Sequence, residues 1–198
     1  MSSPPPANAP SKGDRTRRRL LDAAAAEIAR RGPDGTSLAA VARRAELKAG
    51  SVYFHFDSRD HLIEAVLEEG VRESLRILDD AVSALAAPSA APERLRAAVR
   101  AHLRAIEELS DYAMVVLAPP FHTAGDRMPV YRDALRTYLA RWTELISDAQ
   151  DAGVLPGGTD PRSLRDLVLG GLNASGLAGR PVADTARAME SLLGLDDG

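Results

Sequence analysis

Leu20, Leu21, Ala24, Ala25 and Ile28 recur at the spacing of one helix face, with polar residues between them. They predict an amphipathic helix running from Asp14, as N-cap, to a stop at Gly32-Pro33. A short second helix begins at Thr36-Ser37, where either hydroxyl can cap, and buries Leu38, Val41 and Ala42. Ala45-Glu46-Leu47 interrupts the pattern, and a third helix runs to about Phe56. Asp57-Ser58 opens a long fourth helix, with Asp60 as capping partner of Asp57 and Leu62, Ala65, Val66, Leu75, Leu78 and Val82 as its apolar face. After a break at Pro88–Pro92, a helix spans about Glu93–Leu109, followed by a short apolar segment, Tyr112–Ala118, and an irregular stretch, PPFHTAGDRMP. Long helices are predicted at about Val130–Ala152 and Pro161–Leu177, and a last one at about Val182–Leu193. No run alternates Val, Ile or Thr with polar residues between turn signals. The chain reads as all-α, with about nine helices.

Composition narrows the chemistry. The chain has 198 residues, 45% hydrophobic and 27% charged, in the range of a soluble globular protein. The absence of cysteine excludes disulfides, thiolate metal sites and Cys nucleophiles. His55, His61, His102 and His122 show no metal-ligand spacing, so neither a metal nor a cofactor is expected. The longest apolar run, Tyr112 to Phe121, contains two prolines and is too short to cross a bilayer. The N-terminal segment lacks the apolar core of a signal peptide, which points to a cytoplasmic protein with no membrane partner. Residues 1–13, rich in Pro, Ser and Ala, are expected to form a disordered tail. Charge is uneven: residues 1–60 hold 11 Lys and Arg against 7 Asp and Glu, whereas the remainder holds 14 against 21. A basic head on an acidic body points to a polyanion at one end.

Three short helices before a long one, with the basic charge in front, is the layout of a helix-turn-helix head on a helical body. At this point the residues match a family. Leu20 to Leu67, through Leu21, Ala24, Ile28, Gly32, Thr36, Val41, Ala42, Ala45 and the segment Gly-Ser-Val-Tyr-Phe-His-Phe at 50–56, resembles the DNA-binding domain of TetR-type transcriptional regulators. The resemblance implies a DNA-binding domain over residues 14–60 and a helical effector-binding and dimerisation domain over 61–198. It implies that Lys48, Ala49, Ser51 and Phe54, on the third helix, face base edges or the sugar-phosphate wall, with the small residues Ala49, Gly50 and Ser51 letting the backbone approach closely. Tyr53 and His55 would then contact phosphates, as would Arg59 at the start of the fourth helix. Thr36 or Ser37 would present backbone N–H groups to a phosphate. Arg15 and Arg17, with Arg18 and Arg19, either add phosphate or minor-groove contacts or form a solvated helix face. Phe56 reads as a core aromatic.

Two positions depart from the family pattern. Glu46 stands in the helix-turn-helix bend where the family usually has Gly, and a non-Gly residue at positive φ costs about 1 kcal/mol. Lys48 stands where Ser or Thr would cap the third helix, on the wrong end of the helix dipole unless phosphates surround it.

Beyond residue 85 the resemblance is looser. Trp142–Val154 and Leu169–Asn173 look like a subgroup that answers to acyl-CoA thioesters. The family implies a homodimer through the last two helices, with Leu164, Leu167, Val168, Gly171, Leu172 and Ser175 along one side of the eighth. Met189, Leu192 and Leu193 do the same on the ninth, and Gly170, Gly171 and Gly176 would permit close helix approach. A small-molecule pocket between the fourth and eighth helices would draw on Tyr112, Met114, Phe121, Tyr138 and Trp142, with His102, His122 and Asn173 as polar groups. A stripe at helical spacing such as Tyr131, Tyr138 and Trp142 is more often core than pocket, and a lone histidine such as His102 is more often a satisfied buried one. The function implied is a repressor released from a pseudo-palindromic double-stranded operator by a small apolar effector. A ligand-independent DNA-binding protein is the alternative. A small all-α enzyme is a remoter one, because no arrangement of Ser, His and Asp or pair of carboxylates is recognisable.

Overall fold

The computed structural model describes residues 11–86, 89–118 and 128–195. Among these the chain forms nine helices and no strand, as the apolar spacing implies. They are α1 (Lys12–Arg31), α2 (Leu38–Arg44), α3 (Ala49–His55), α4 (Arg59–Ser83), α5 (Ala91–Glu108), α6 (Ser110–Val116), α7 (Pro129–Asp151), α8 (Pro161–Leu177) and α9 (Val182–Leu192).

Helix starts differ from the sequence reading at four helices: α5 begins at Ala91 and takes in Pro92, α6 begins at Ser110, and α1 and α4 differ in their caps. Ser11 Oγ accepts from the Asp14 N–H at 3.1 Å while the Asp14 carboxylate accepts from the Ser11 N–H at 3.0 Å, a reciprocal capping box. Ser11 is therefore the N-cap of α1 and Asp14 its third helical residue, and Lys12 and Gly13 are helical rather than part of a disordered tail. Ser58, not Asp57, caps α4 by accepting from the His61 N–H at 3.1 Å.

The helices divide into two units, up to Val66 and from Leu67 onward, with the division inside α4 and slightly later than residue 60. In the first unit Leu20, Leu21, Ala24 and Ile28 of α1 are buried with Val41, Val52, Phe56, Leu62 and Val66. Each large side chain so buried contributes about 1.5–3 kcal/mol. A buried acid ties α1 to α2: Glu27, 5% exposed, lies 3.1 Å from Arg30, 3.2 Å from Arg31 and 3.4 Å from Arg44. Burial pushes its carboxyl pKa up, but the charges of Arg30, Arg31 and Arg44 outweigh this and hold it below the usual range.

In the second unit α5 packs against α6, α7, α8 and α9. Leu95 and Leu103 of α5 meet a core that includes Trp142, Leu145 and Ile146 of α7 and Leu172 of α8. Arg100 donates to both oxygens of the buried Glu190 at 2.7 and 2.9 Å, a bidentate bond from α5 to α9. Arg94 pairs with Asp148 of α7, and Arg96 donates to the Leu195 carbonyl. A Cβ on Gly176 would lie 2.9 Å from the Ile106 side chain, so this glycine lets α8 approach α5 within the unit rather than serving an external interface. At Gly171 the close neighbour is Met189 of α9, and Gly170 faces open space.

Candidate nucleic-acid interface

The α2–bend–α3 segment is built from local hydrogen bonds. Ser37 caps α2 by accepting from the Ala40 N–H at 3.2 Å. The Leu47 N–H reaches back to the Ala42 carbonyl at 2.9 Å, which closes the helix end. Glu46 adopts φ 54°, and it alone among the described non-glycine residues has positive φ. The chain thus keeps the left-handed bend that glycine usually supplies, with the strain of a side chain placed there. Arg19 Nη2 donates to the Ala45 carbonyl at 2.7 Å and so ties α1 to the residue before the bend.

α3 follows with Lys48 as an N-cap that makes no side-chain cap bond, as its residue type implies. Val52 is fully buried, as is Phe56 just past the helix end. Opposite them Lys48, Ala49, Gly50, Tyr53 and Phe54 are exposed, and Ser51 and His55 are half-buried. Tyr53 is 60% and Phe54 85% exposed, so this short helix shows solvent two aromatic rings. Isolated in water, such rings are unsatisfied apolar surface.

The other expected contacts are dispersed. Ser37, Arg15 and Arg59 are exposed, and Arg59 lies 3.8 Å from both Asp34 and Asp60. Arg17 is half-buried with its guanidinium 5.5 Å over the Phe56 ring, a cation–π contact rather than a free cation. Thr36 does not take the phosphate-facing place expected of it. It is buried, its hydroxyl donates to the Gly32 carbonyl at 2.9 Å and its N–H to Pro33 at 3.2 Å, so neither group is available to a phosphate.

In the second unit an apolar cavity of about 110 Å3 lies among α4, α5, α6, α7 and α8. Its polar side is a chain of three uncharged groups. His102 Nε2 meets Asn173 Oδ1 at 2.9 Å and Nδ1 meets the Tyr138 hydroxyl at 2.6 Å. With an amide oxygen as its acceptor, Nε2 carries the proton, and Nδ1 accepts from Tyr138. Burial lowers the His102 pKa to about 4, against the opposing pull of the Asn173 bond. Burial likewise pushes the Tyr138 hydroxyl up, so the whole chain is neutral at pH 7. His102, Tyr138 and Asn173 line the cavity. Three other expected members do not. Trp142 is fully buried in the core, edge-on to His102 at 5.9 Å; Tyr112 is buried against Gly70; Met114 is half-exposed outside the cavity. Phe121 and His122 lie outside the described residues.

On α8, Leu167, Gly170, Gly171, Ala174 and Leu177 form an exposed stripe at helical spacing, and Ala188 and Leu192 are exposed on α9. Leu167 is 73% and Leu192 80% exposed. Leu164, Ser175, Met189 and Leu193 are half-buried. Val168 and Leu172, expected in the same interface, are instead core residues of the unit itself. Among the described residues no helix is long and apolar enough to cross a membrane, and no group of three His, Asp or Glu is placed to hold a metal ion.

Comparison with known proteins adds to this geometry. Residues 20–66 match the family model described as bacterial regulatory proteins, tetR family, and residues 88–176 match that of the tetracyclin repressor-like C-terminal domain. The HTH-type transcriptional repressor KstR2 of Rhodococcus jostii is 38% identical over 65 residues, 33% of this chain and 32% of the relative. Among curated relatives matched, the chain spans from 32% to 56% of their length. Two solved structures share the fold: AibR in complex with isovaleryl coenzyme A and operator DNA has a TM-score of 0.77 at 21% identity, covering 92% of this chain and 100% of that one. The regulator FadR from Bacillus subtilis in complex with stearoyl-CoA has a TM-score of 0.75 at 16% identity, covering 89% and 96%.

Proposed function

The chain belongs to the tetR family of bacterial regulatory proteins, and on that premise we propose that it is a dimeric, sequence-specific DNA-binding regulator whose second unit senses a small apolar effector. The observation that carries the reading is the division of α3: Val52 is locked in the core while Lys48, Ala49, Gly50, Tyr53 and Phe54 are held out on a helix narrow enough for a major groove. Small residues at Ala49 and Gly50 allow close approach of the backbone to base edges. Tyr53, His55 and Arg59 supply hydrogen-bond donors for phosphates. Lys48 supplies the positive charge that the dipole of a free helix disfavours and that DNA restores.

The exposed stripe of α8 with Leu192 of α9 supports a two-fold dimer, since apolar surface repeated at helical spacing is stabilised by burial against its own copy. Two recognition helices related by that axis read a pseudo-palindrome with half-sites about 34–36 Å apart, or a multiple of it. The cavity with its neutral polar side supports an effector that is mostly apolar, and similarity to proteins solved with isovaleryl coenzyme A and stearoyl-CoA makes an acyl thioester the leading class. An effector alters DNA affinity by its differential affinity for the DNA-competent and incompetent states, and release of a repressor is the expected sense. The reading is one of binding rather than catalysis.

The test is selection of genomic fragments by the purified protein, with a Lys48→Ala, Tyr53→Ala double variant as control. One enriched pseudo-palindrome that the variant fails to retain supports the proposal. Equal fragment sets for both proteins at ~100 mM salt would overturn it, because specific binding survives that ionic strength.

A further inference from the structure

The cavity and a groove beside it divide charge between them. Leu135 and Leu139, one turn apart on α7, line both the cavity and an open groove of about 650 Å3 between α7 and α8. No side chain lining the cavity carries a charge. The groove is lined by Arg132, Arg136, Arg162 and Arg165, with Glu144 the one acid among its lining residues. Glu144 is already engaged by Arg141 at 3.2 Å. Asp133 lies 3.8 Å from Arg132 and 3.1 Å from Arg136, all three well exposed, and Arg165 reaches Asp166 at 2.7 Å and the Thr143 hydroxyl at 3.0 Å. Among the described residues no acid makes an ion pair with Arg162.

We propose that this groove binds the phosphorylated headgroup of a ligand whose acyl chain enters the cavity. The proposal rests on the reading of the cavity as the effector site. An ionised group inside the cavity would lose its hydration and meet no counter-charge. An amphiphilic effector must therefore leave its charge outside, and the groove that shares the cavity's wall offers guanidinium groups whose planar fork fits phosphate oxygens. The aspartate partners at the groove are solvent-exposed, so their ion pairs are weak and a polyphosphate displaces them at small cost. The division thus assigns the two ends of one molecule: a neutral carbonyl-bearing chain against Tyr138 and Asn173, and a polyanion against Arg132, Arg136 and Arg162.

Isothermal titration with decanoyl-CoA and with decanoyl-pantetheine, which keeps the thioester and lacks every phosphate, separates the two ends; the butanoyl pair covers a shorter chain. The full-length protein is expected to bind the CoA thioester at least about tenfold more tightly, the loss of one charge-assisted contact or more. That preference should shrink as NaCl is raised. An Arg132→Ala, Arg136→Ala, Arg162→Ala variant changes only exposed side chains, and its fold is checked by thermal unfolding. It should bind both thioesters with the wild-type affinity for the pantetheine compound. Equal wild-type affinities for the two would overturn the groove while leaving the cavity reading intact. A CoA preference that persists in the variant would place the phosphates elsewhere and overturn it equally. Failure of all four thioesters to bind would overturn the cavity reading, and the groove with it.

Discussion

Taking the protein from pH 7.5 to pH 5 should cost about 2 kcal/mol of stability at His102 alone. In an unfolded chain this imidazole titrates at its ordinary value of 6.5, whereas burial holds it at about 4 in the folded one. At pH 7.5 both states are neutral and the residue contributes nothing to the pH dependence. Between the two pKa values the unfolded chain takes up a proton that the folded chain refuses, so stability falls as pH falls. Below about pH 4 the folded state protonates too, and the loss levels off. At pH 5 the ambient value lies one and a half units beneath 6.5, and each unit is about 1.4 kcal/mol. His102→Gln keeps a polar side chain beside Tyr138 and Asn173 but cannot titrate. Urea unfolding of both proteins at the two pH values isolates the residue from every other group. At pH 7.5 the variant should be the less stable by about 1–3 kcal/mol, because an unmatched buried polar group replaces a matched one. At pH 5 the gap should contract by about 2 kcal/mol. A gap of the same size at both pH values would mean that His102 titrates as it does in water, and the buried neutral chain described above would be wrong.

Glu27→Gln should destabilise the first unit by about 1–3 kcal/mol at pH 7, since the variant leaves Arg30, Arg31 and Arg44 without their shared acid. Its carboxyl is held below the usual range, so the penalty should be full at neutral pH and be lost as pH falls through the lowered folded-state value, which a series of denaturant melts at decreasing pH would reveal. Glu46→Gly should raise stability by roughly 1 kcal/mol by relieving the positive-φ strain, and an unchanged or lower melting temperature would argue against a left-handed bend. Leu167→Asp with Leu192→Asp should yield a folded monomer by light scattering, and a dimer of unchanged affinity would remove the α8–α9 stripe from the interface.

Much of the fold was legible because most helices here announce themselves by apolar spacing and by Gly or Pro at their ends. The start of α1 was readable too: Ser11 and Asp14 stand at the separation of a capping box, but the Pro-rich residues before them drew the expected tail forward. The break at Ala45–Leu47 and the stop at Phe56 placed α3, whereas its outward face followed from the resemblance to TetR-type regulators and not from local signals. Thr36 misled because its hydroxyl is consumed by a carbonyl four residues back, a bond that only the folded loop creates. His102, Tyr138 and Asn173 were each visible as candidates, yet they are 36 and 71 residues apart and their convergence is a product of packing. Val168 and Leu172 show the converse limit: an apolar side of a helix does not say whether its partner is its own chain or another copy. The Glu27 cluster and the Arg132, Arg136, Arg162, Arg165 groove leave only their i, i+3 and i, i+4 spacings in the sequence, and the partners across helices come from packing.

Lys48 and Lys12 are the two lysines of a chain that otherwise uses arginine for its cations. Lys48 caps no N–H and stands exposed at the start of α3. An amine-acylating footprint of this protein is therefore almost a single-site measurement. Mass spectrometry of one peptide reads the solvent access of the recognition helix, with Lys12 and the α-amino group as internal references. Protection of that peptide by a fragment of DNA, and its reversal by a thioester, would follow operator engagement and release in unmodified protein, without a fluorophore, a tag or a substitution anywhere in the molecule.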